Sequence, residues 1–150
     1  PEPARLLSAP GDPRVVLLNQ VSGALSVIDP AQPSQLQSAN IHGTAIEAAK
    51  ERDRGMRANL PAQPGSGGLT IYAAALSEGG KLFTALSPYN LHDGALILET
   101  SLDGAPQRTI RCTLPGAGTD KAAISPAHIA IGGNLLILVS GNGEMLTYPL

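Results

Sequence analysis

One pattern constrains this chain more than any other, and it occurs three times: a turn, an apolar run, a turn ending in glycine, and a second apolar run. The first copy is Pro10-Gly11-Asp12-Pro13, then Arg14–Leu18, a turn over Asn19–Gly23, and Ala24–Ile28. The second is Ser77–Gly80, then Lys81–Leu86, a turn ending at Asp93-Gly94, and Ala95–Glu99. The third is Ile131-Gly132-Gly133, then Asn134–Val139, a turn over Ser140–Gly143, and Glu144–Tyr148. Gly-Gly, Asp-Gly and Asn-Gly supply the positive φ that tight hairpins need, and the flanking runs have the length of strands. The chain is therefore predicted to be all-β, built from antiparallel hairpin repeats.

The spacing of the copies points to an architecture. Gly94 and Gly143 lie 49 residues apart and Gly80 and Gly133 lie 53 apart, whereas Gly23 and Gly94 are separated by 71. The shorter intervals approach the roughly 40–50 residues of one four-stranded propeller blade. Further strand-like runs flank the hairpins: Leu69–Ala75 before the second, Gln107–Leu114 after it, and Ala127–Ile131 before the third. This predicts about three blade-like units, near residues 10–42, 69–114 and 122–150. Near-continuous apolar strands suit sheets covered on both faces, as stacked blades are. Closed rings have about four to eight blades, and the third unit lacks a strand. Three arrangements follow: a part of a longer ring, a ring completed by another chain, or a self-contained barrel or sandwich.

The long interval holds the one segment that breaks the pattern. Thr44 and Glu47 have the spacing of a capping box. Ile46, Ala49, Met56 and Leu60 then recur at helical intervals, interrupted by Asp53, and Pro61 ends the run. Pro61–Gly68 reads as a flexible linker. Residues 43–68 are thus predicted to be an insertion, a short helix and a loop projecting from the sheet edge. Seven of the chain's 22 charged residues fall between Glu47 and Arg57. Glu47, Lys50, Arg54 and Arg57 are the candidates for docking a protein partner, because insertions on a rigid scaffold often carry recognition. A solvated helix face accounts for the same charges.

Composition removes several classes of function. A net charge of −2 and 3% aromatic residues, with no Trp, give neither the basic face nor the stacking platform that nucleic-acid binding uses. No apolar run reaches the ~18 residues of a transmembrane helix. A lone cysteine, Cys112, can form no internal disulfide, and its place in the alternating run Thr109–Leu114 makes it a buried strand residue. The histidines His42, His92 and His128 have no metal-site spacing, there is no Gly-x-Ser-x-Gly elbow, and the glycine-rich loops lack phosphate-loop spacing. No cofactor is expected. Asp12, Asp29, Asp93 and Asp103 sit in turns, where bonding to the backbone explains them.

The stretch Asn19-Gln20-Val21-Ser22-Gly23-Ala24-Leu25-Ser26-Val27-Ile28-Asp29 resembles the YVTN-type, lactonase-like propeller repeat, and Leu76–Phe83 is similar to that family's Ser-Pro-Asp-Gly-Lys segment with Glu78-Gly79 in place of Pro-Asp. The aromatic of the preceding strand is replaced by Leu. The resemblance and the non-Met first residue imply an extracytoplasmic bacterial protein, periplasmic or secreted. Three functions are compatible with it. One is a binding or scaffolding module that joins a protein partner or further blades. Another is part of a lactonase- or quinoprotein-like enzyme, with Asn90, His92 and Asp93 as candidate ligand-binding residues on a blade face. The last is a self-contained structural β-domain.

Overall fold

A computed structural model describes residues 4–45, 47, 69–88, 95–112, 126–140 and 143–150. Eleven strands fall into three antiparallel sheets in which sequence neighbours pair. The first sheet runs β1 (Ala4–Ala9), β2 (Asp12–Asn19), β3 (Ala24–Ile28) and β4 (Leu36–Asn40). The second runs β5 (Leu69–Leu76), β6 (Lys81–Pro88), β7 (Ala95–Ser101) and β8 (Pro106–Cys112). The third has β9 (Pro126–Gly132), β10 (Leu135–Ser140) and β11 (Met145–Pro149), so among the described residues it is one strand shorter than the others. The first sheet begins ahead of the unit predicted at residues 10–42, with β1, in which only Ala9 is buried. Within that unit β4 also went unread as a strand: Leu36–Asn40 is largely exposed, and an outermost strand with little to bury leaves a weak apolar pattern.

The middle sheet explains why its strands read as continuously apolar. Along β6, Leu82 and Leu86 enter one core while Phe83 and Ala85 enter another, and all four are at most 2% exposed. On β7, Leu96 and Leu98 join the first core and Ile97 the second. Successive strand residues point to opposite faces, so a sheet packed on both sides is apolar at most positions, with Thr84, Glu99 and Thr100 as its buried polar exceptions. The first core closes against Val16, Leu18, Leu25 and Val27 of the first sheet, and the second against Ile129, Leu136 and Leu138 of the third. Burying each such side chain contributes about 1.5–3 kcal/mol.

The sheets come together at their first strands: β5 lies beside both β1 and β9. Ala73, Ala74 and Ala75 sit in that strand and are all buried, since small side chains let neighbouring sheets approach. Gln20, in the β2–β3 turn, ties the first two sheets. Its Nε2 donates to the Ile71 carbonyl at 2.7 Å, and the Ile71 N–H donates to the Gln20 backbone carbonyl at 3.3 Å. The β5–β6 register shifts between Ile71 and Ala73, where this bridge engages the strand. The arrangement is that of three consecutive blade-like sheets.

Candidate functional site

The turn that carries the family resemblance is closed by its own polar groups. Asn19 Oδ1 accepts the N–H groups of Val21 and Ser22, each at 2.9 Å, and the Gly23 N–H donates to the Asn19 carbonyl at 3.0 Å. The Ile41 N–H reaches back to the Gly23 carbonyl at 2.9 Å, so the chain leaving β4 is held against this turn.

From that anchor the chain makes a helical turn. Asn40 Oδ1 accepts the His42 N–H at 2.8 Å, residues 42–45 and 47 are helical, and the Ala45 N–H donates to the Ile41 carbonyl at 2.8 Å. The helix therefore begins at His42, ahead of the Thr44–Glu47 capping box the sequence suggested. Asn40 is the side chain that satisfies the first free donor, and Thr44 Oγ1 instead donates across to the Gly104 carbonyl at 3.4 Å. Ile41 and Ala45 enter the first core, which leaves Gly43, Thr44 and Glu47 on the outer side.

These residues form one wall of an open cleft of about 570 Å³; residues 106–109 of the outermost strand of the second sheet form the other, and buried Leu98 also lines it. The volume falls in the range that takes a small molecule or a few residues of a peptide. Thr44, Gln107 and Thr109 bring hydroxyl and amide groups, Pro106 and Leu98 bring apolar surface, and exposed Glu47 brings a carboxylate.

Arg108 belongs to the cleft strand, but its side chain serves Glu99, its cross-strand partner. Glu99 is 1% exposed and is held by Arg108 Nε and by Lys81 Nζ, the latter at 2.9 Å. Burial alone would push this carboxyl up. The hydrogen bonds and charges of Lys81 and Arg108 outweigh it and hold the group below the usual carboxylate range. On the first sheet Asp12 is lowered chiefly by its hydrogen bond from Arg14, whose Nη2 lies 2.6 Å from Asp12 Oδ2. The Cys112 thiol is buried in the second core and pushed up to about 11 by burial, which leaves it unreactive at neutral pH.

Of the residues singled out in the sequence, Glu47 is placed at the cleft. Lys50, Arg54 and Arg57, and likewise Asn90, His92 and Asp93, lie outside the described residues. His42 is buried and burial lowers its pKa. His128 is exposed. Asp12, Asp29 and Asp103 each accept a backbone N–H two residues on, as their turn positions implied. Among the described residues no group of three or more His, Cys, Asp or Glu side chains could hold a metal ion, and no helix is long and apolar enough to cross a membrane. The sequence reading missed Gln107, Arg108 and Thr109 as cleft residues. It also missed Glu99, although the hairpin register across Asp103-Gly104 sets that lone carboxylate opposite Arg108.

No protein-family model matches the chain, and no curated protein matches it. Among solved structures it is similar to the crystal structure of the WD40 beta propeller domain of Doa1, at 8% identity and a TM-score of 0.49. That match covers 97% of this chain and 40% of the other, so the chain spans well under half the length of this structural neighbour.

Proposed function

We propose that this chain is a non-catalytic binding and scaffolding module of a larger, extracytoplasmic bacterial assembly, and that the cleft beside Glu47 is where a partner protein docks. The cleft carries the reading. It lies between a helical turn anchored on the first sheet and the outermost strand of the second, so two rigid sheets fix its walls. Its lining mixes apolar surface with amide, hydroxyl and carboxylate groups, the composition that grips a peptide segment by side-chain contact and hydrogen bonds. Glu47 is also the first residue of the chain's densest run of charge, residues 47–57. Glu47, the described residue of that run, lines the cleft. The periplasmic or secreted compartment, and membership among YVTN-type repeats, rest on the resemblance of Asn19–Asp29.

The test is site-specific photo-crosslinking in the native bacterium, with a benzoyl-phenylalanine at exposed Gln107 and, as a control, at exposed Leu36 on the far sheet face. The expected result is one discrete crosslinked protein from position 107. It should be lost when Thr109→Trp fills the cleft and absent from position 36. Identical crosslinking from both positions would refute the docking site. A rise of several degrees in melting temperature on adding calcium or another divalent cation would favour the enzyme reading instead.

A further inference from the structure

The cleft beside Glu47 has a strand edge for one of its walls, and that limits what can occupy it. On β7, Leu98 enters the first core and Ile97 the second, so Glu99, two residues beyond Ile97, belongs to the second core's face. The register sets Thr109 opposite Leu98 and Arg108 opposite Glu99. Thr109 therefore shares the face of Leu98, and both line the cleft. Arg108 lines it too, although its side chain lies on the other face, bonded to Glu99. A cleft that meets neighbouring residues from both faces of a strand meets that strand along its edge, where the main chain lies.

The strand concerned is outermost in its sheet: among the described residues β8 pairs with β7 alone. In an antiparallel pair, alternate residues turn their N–H and C=O groups to the partner strand, and the residues between turn theirs away. Residues 106–109 are all exposed, so the outward groups are open to an incoming chain. Proteins blunt such an edge with proline or a bulge, and β8 carries both at its start, as Pro106 and as the register shift between Glu99 and Thr100. From Arg108 to Cys112 its pairing with β7 is unbroken, and the edge there is a regular row of main-chain donors and acceptors. Another extended main chain is what such a row is complementary to.

We propose that the cleft takes an extended segment of a partner protein, which adds to β8 as a fifth strand of the second sheet. This rests on the reading that a partner docks at this cleft, and it names the element by which it does so. Main-chain hydrogen bonds continue the ladder that already runs from β5 to β8, and every second side chain of the segment turns to the face of Leu98 and Thr109. Residues 106–109 span about 13 Å of edge, the length of a four-residue stretch of strand. The segment is rich in β-branched or aromatic residues and has no proline where it must donate to β8.

The test uses the full 150-residue chain and a displayed library of random peptides about ten residues long. The tightest binder is then remade with a single N-methyl group at each backbone nitrogen in turn, which alters only the peptide and leaves the fold untouched. Thr109→Trp, folded by circular dichroism, should lose the peptide. N-methylation should weaken binding about tenfold or more at every second position and little at the positions between. Amide hydrogen exchange should show protection gained on binding at alternate residues of β8. A peptide displaced by Thr109→Trp whose N-methyl scan shows no alternation would overturn strand addition and leave the docking site standing. A library that yields no binder, or only binders indifferent to Thr109→Trp, would overturn strand addition too, and crosslinking from position 107 then decides separately whether a docking site exists. Outward amides of β8 already protected in the free chain would also overturn it, since a second copy or another segment of this chain would then hold the edge.

Discussion

Replacing Gly23 with alanine tests whether the β2–β3 turn is held where the structure puts it. Gly23 has φ +69°, and a Cβ built there would lie 2.8 Å from the His42 backbone nitrogen and 3.1 Å from its Cα. Left-handed geometry costs a residue with a Cβ about 1–2 kcal/mol. The contact with His42 adds to this, because a backbone cannot swing aside as a side-chain tip does. Relieving it moves Ile41 and His42 away from the turn. That strains the Ile41 N–H bond to the Gly23 carbonyl, worth about 1 kcal/mol net, and shifts Ile41, which is 0% exposed in the first core. The sum is about 3 kcal/mol, or roughly 6–12 °C in melting temperature for a domain of this size.

Gly133→Ala is the control. It has φ +57° with nothing within 4 Å of the added Cβ, so it should show the left-handed cost alone, about 1–2 kcal/mol. Urea unfolding of both variants gives the comparison. If Gly23→Ala costs no more than Gly133→Ala, the close approach of His42 to the turn is wrong, and with it the anchoring of the helical turn that walls the cleft.

Glu99→Gln should destabilise by about 1–2 kcal/mol, less than a fully buried pair would lose because Lys81 and Arg108 are about half exposed. Wild-type stability should therefore fall as pH drops below 4.5, where the unfolded carboxyl takes up a proton before the folded one, and Glu99→Gln should reduce that loss without abolishing it, since Asp12 titrates in the same direction. His42 acts at higher pH: its folded pKa is lowered by burial, so its contribution is complete above 6.5 and is lost as pH falls from there toward the folded value. His42→Gln should flatten that part of the melting-temperature profile; an unchanged slope would mean that the imidazole is not buried.

Much of the fold was legible because turn chemistry and apolar runs are local. Gly80 shows how closely. It has φ +69°, and the Arg14 guanidinium packs where a Cβ would sit, 2.0 Å from Nη2. One glycine therefore both turns the β5–β6 hairpin and makes room for the first sheet's ion pair. The outer strand β8 was legible as the run Gln107–Leu114, whereas β1 and β4 were not, because both alternate or expose most of their residues and so carry weak patterns. Of the span between the first two hairpins, the described residues show a helical turn that starts at His42, three residues ahead of the Ala45 start implied by a Thr44 cap. Asn40, at the end of a strand, competes with Thr44 for the free donors, and the bond from Ile41 to Gly23 decides where the turn begins.

The cleft was not legible, and the reason is geometric. Thr44 and Gly104 are 60 residues apart in sequence, and Glu47 meets residues 106–109 only because the first sheet stacks on the second. That stacking is set by the alternation of β5, β6 and β7 between two cores, which the sequence does show, and by the bridge from Gln20 to Ile71, which it does not. A glutamine in a turn looks like any solvated side chain. Its meaning appears only when its side-chain amide donates to the Ile71 carbonyl and its backbone carbonyl accepts the Ile71 N–H, at the point where the β5–β6 register slips. The bridge ties the β2–β3 turn of the first sheet to the innermost strand of the second, and Thr44 ties the helical turn to the Gly104 carbonyl beside the outermost strand. The first sheet is thus joined to both edges of the second, and the two walls of the cleft stand on that stacking.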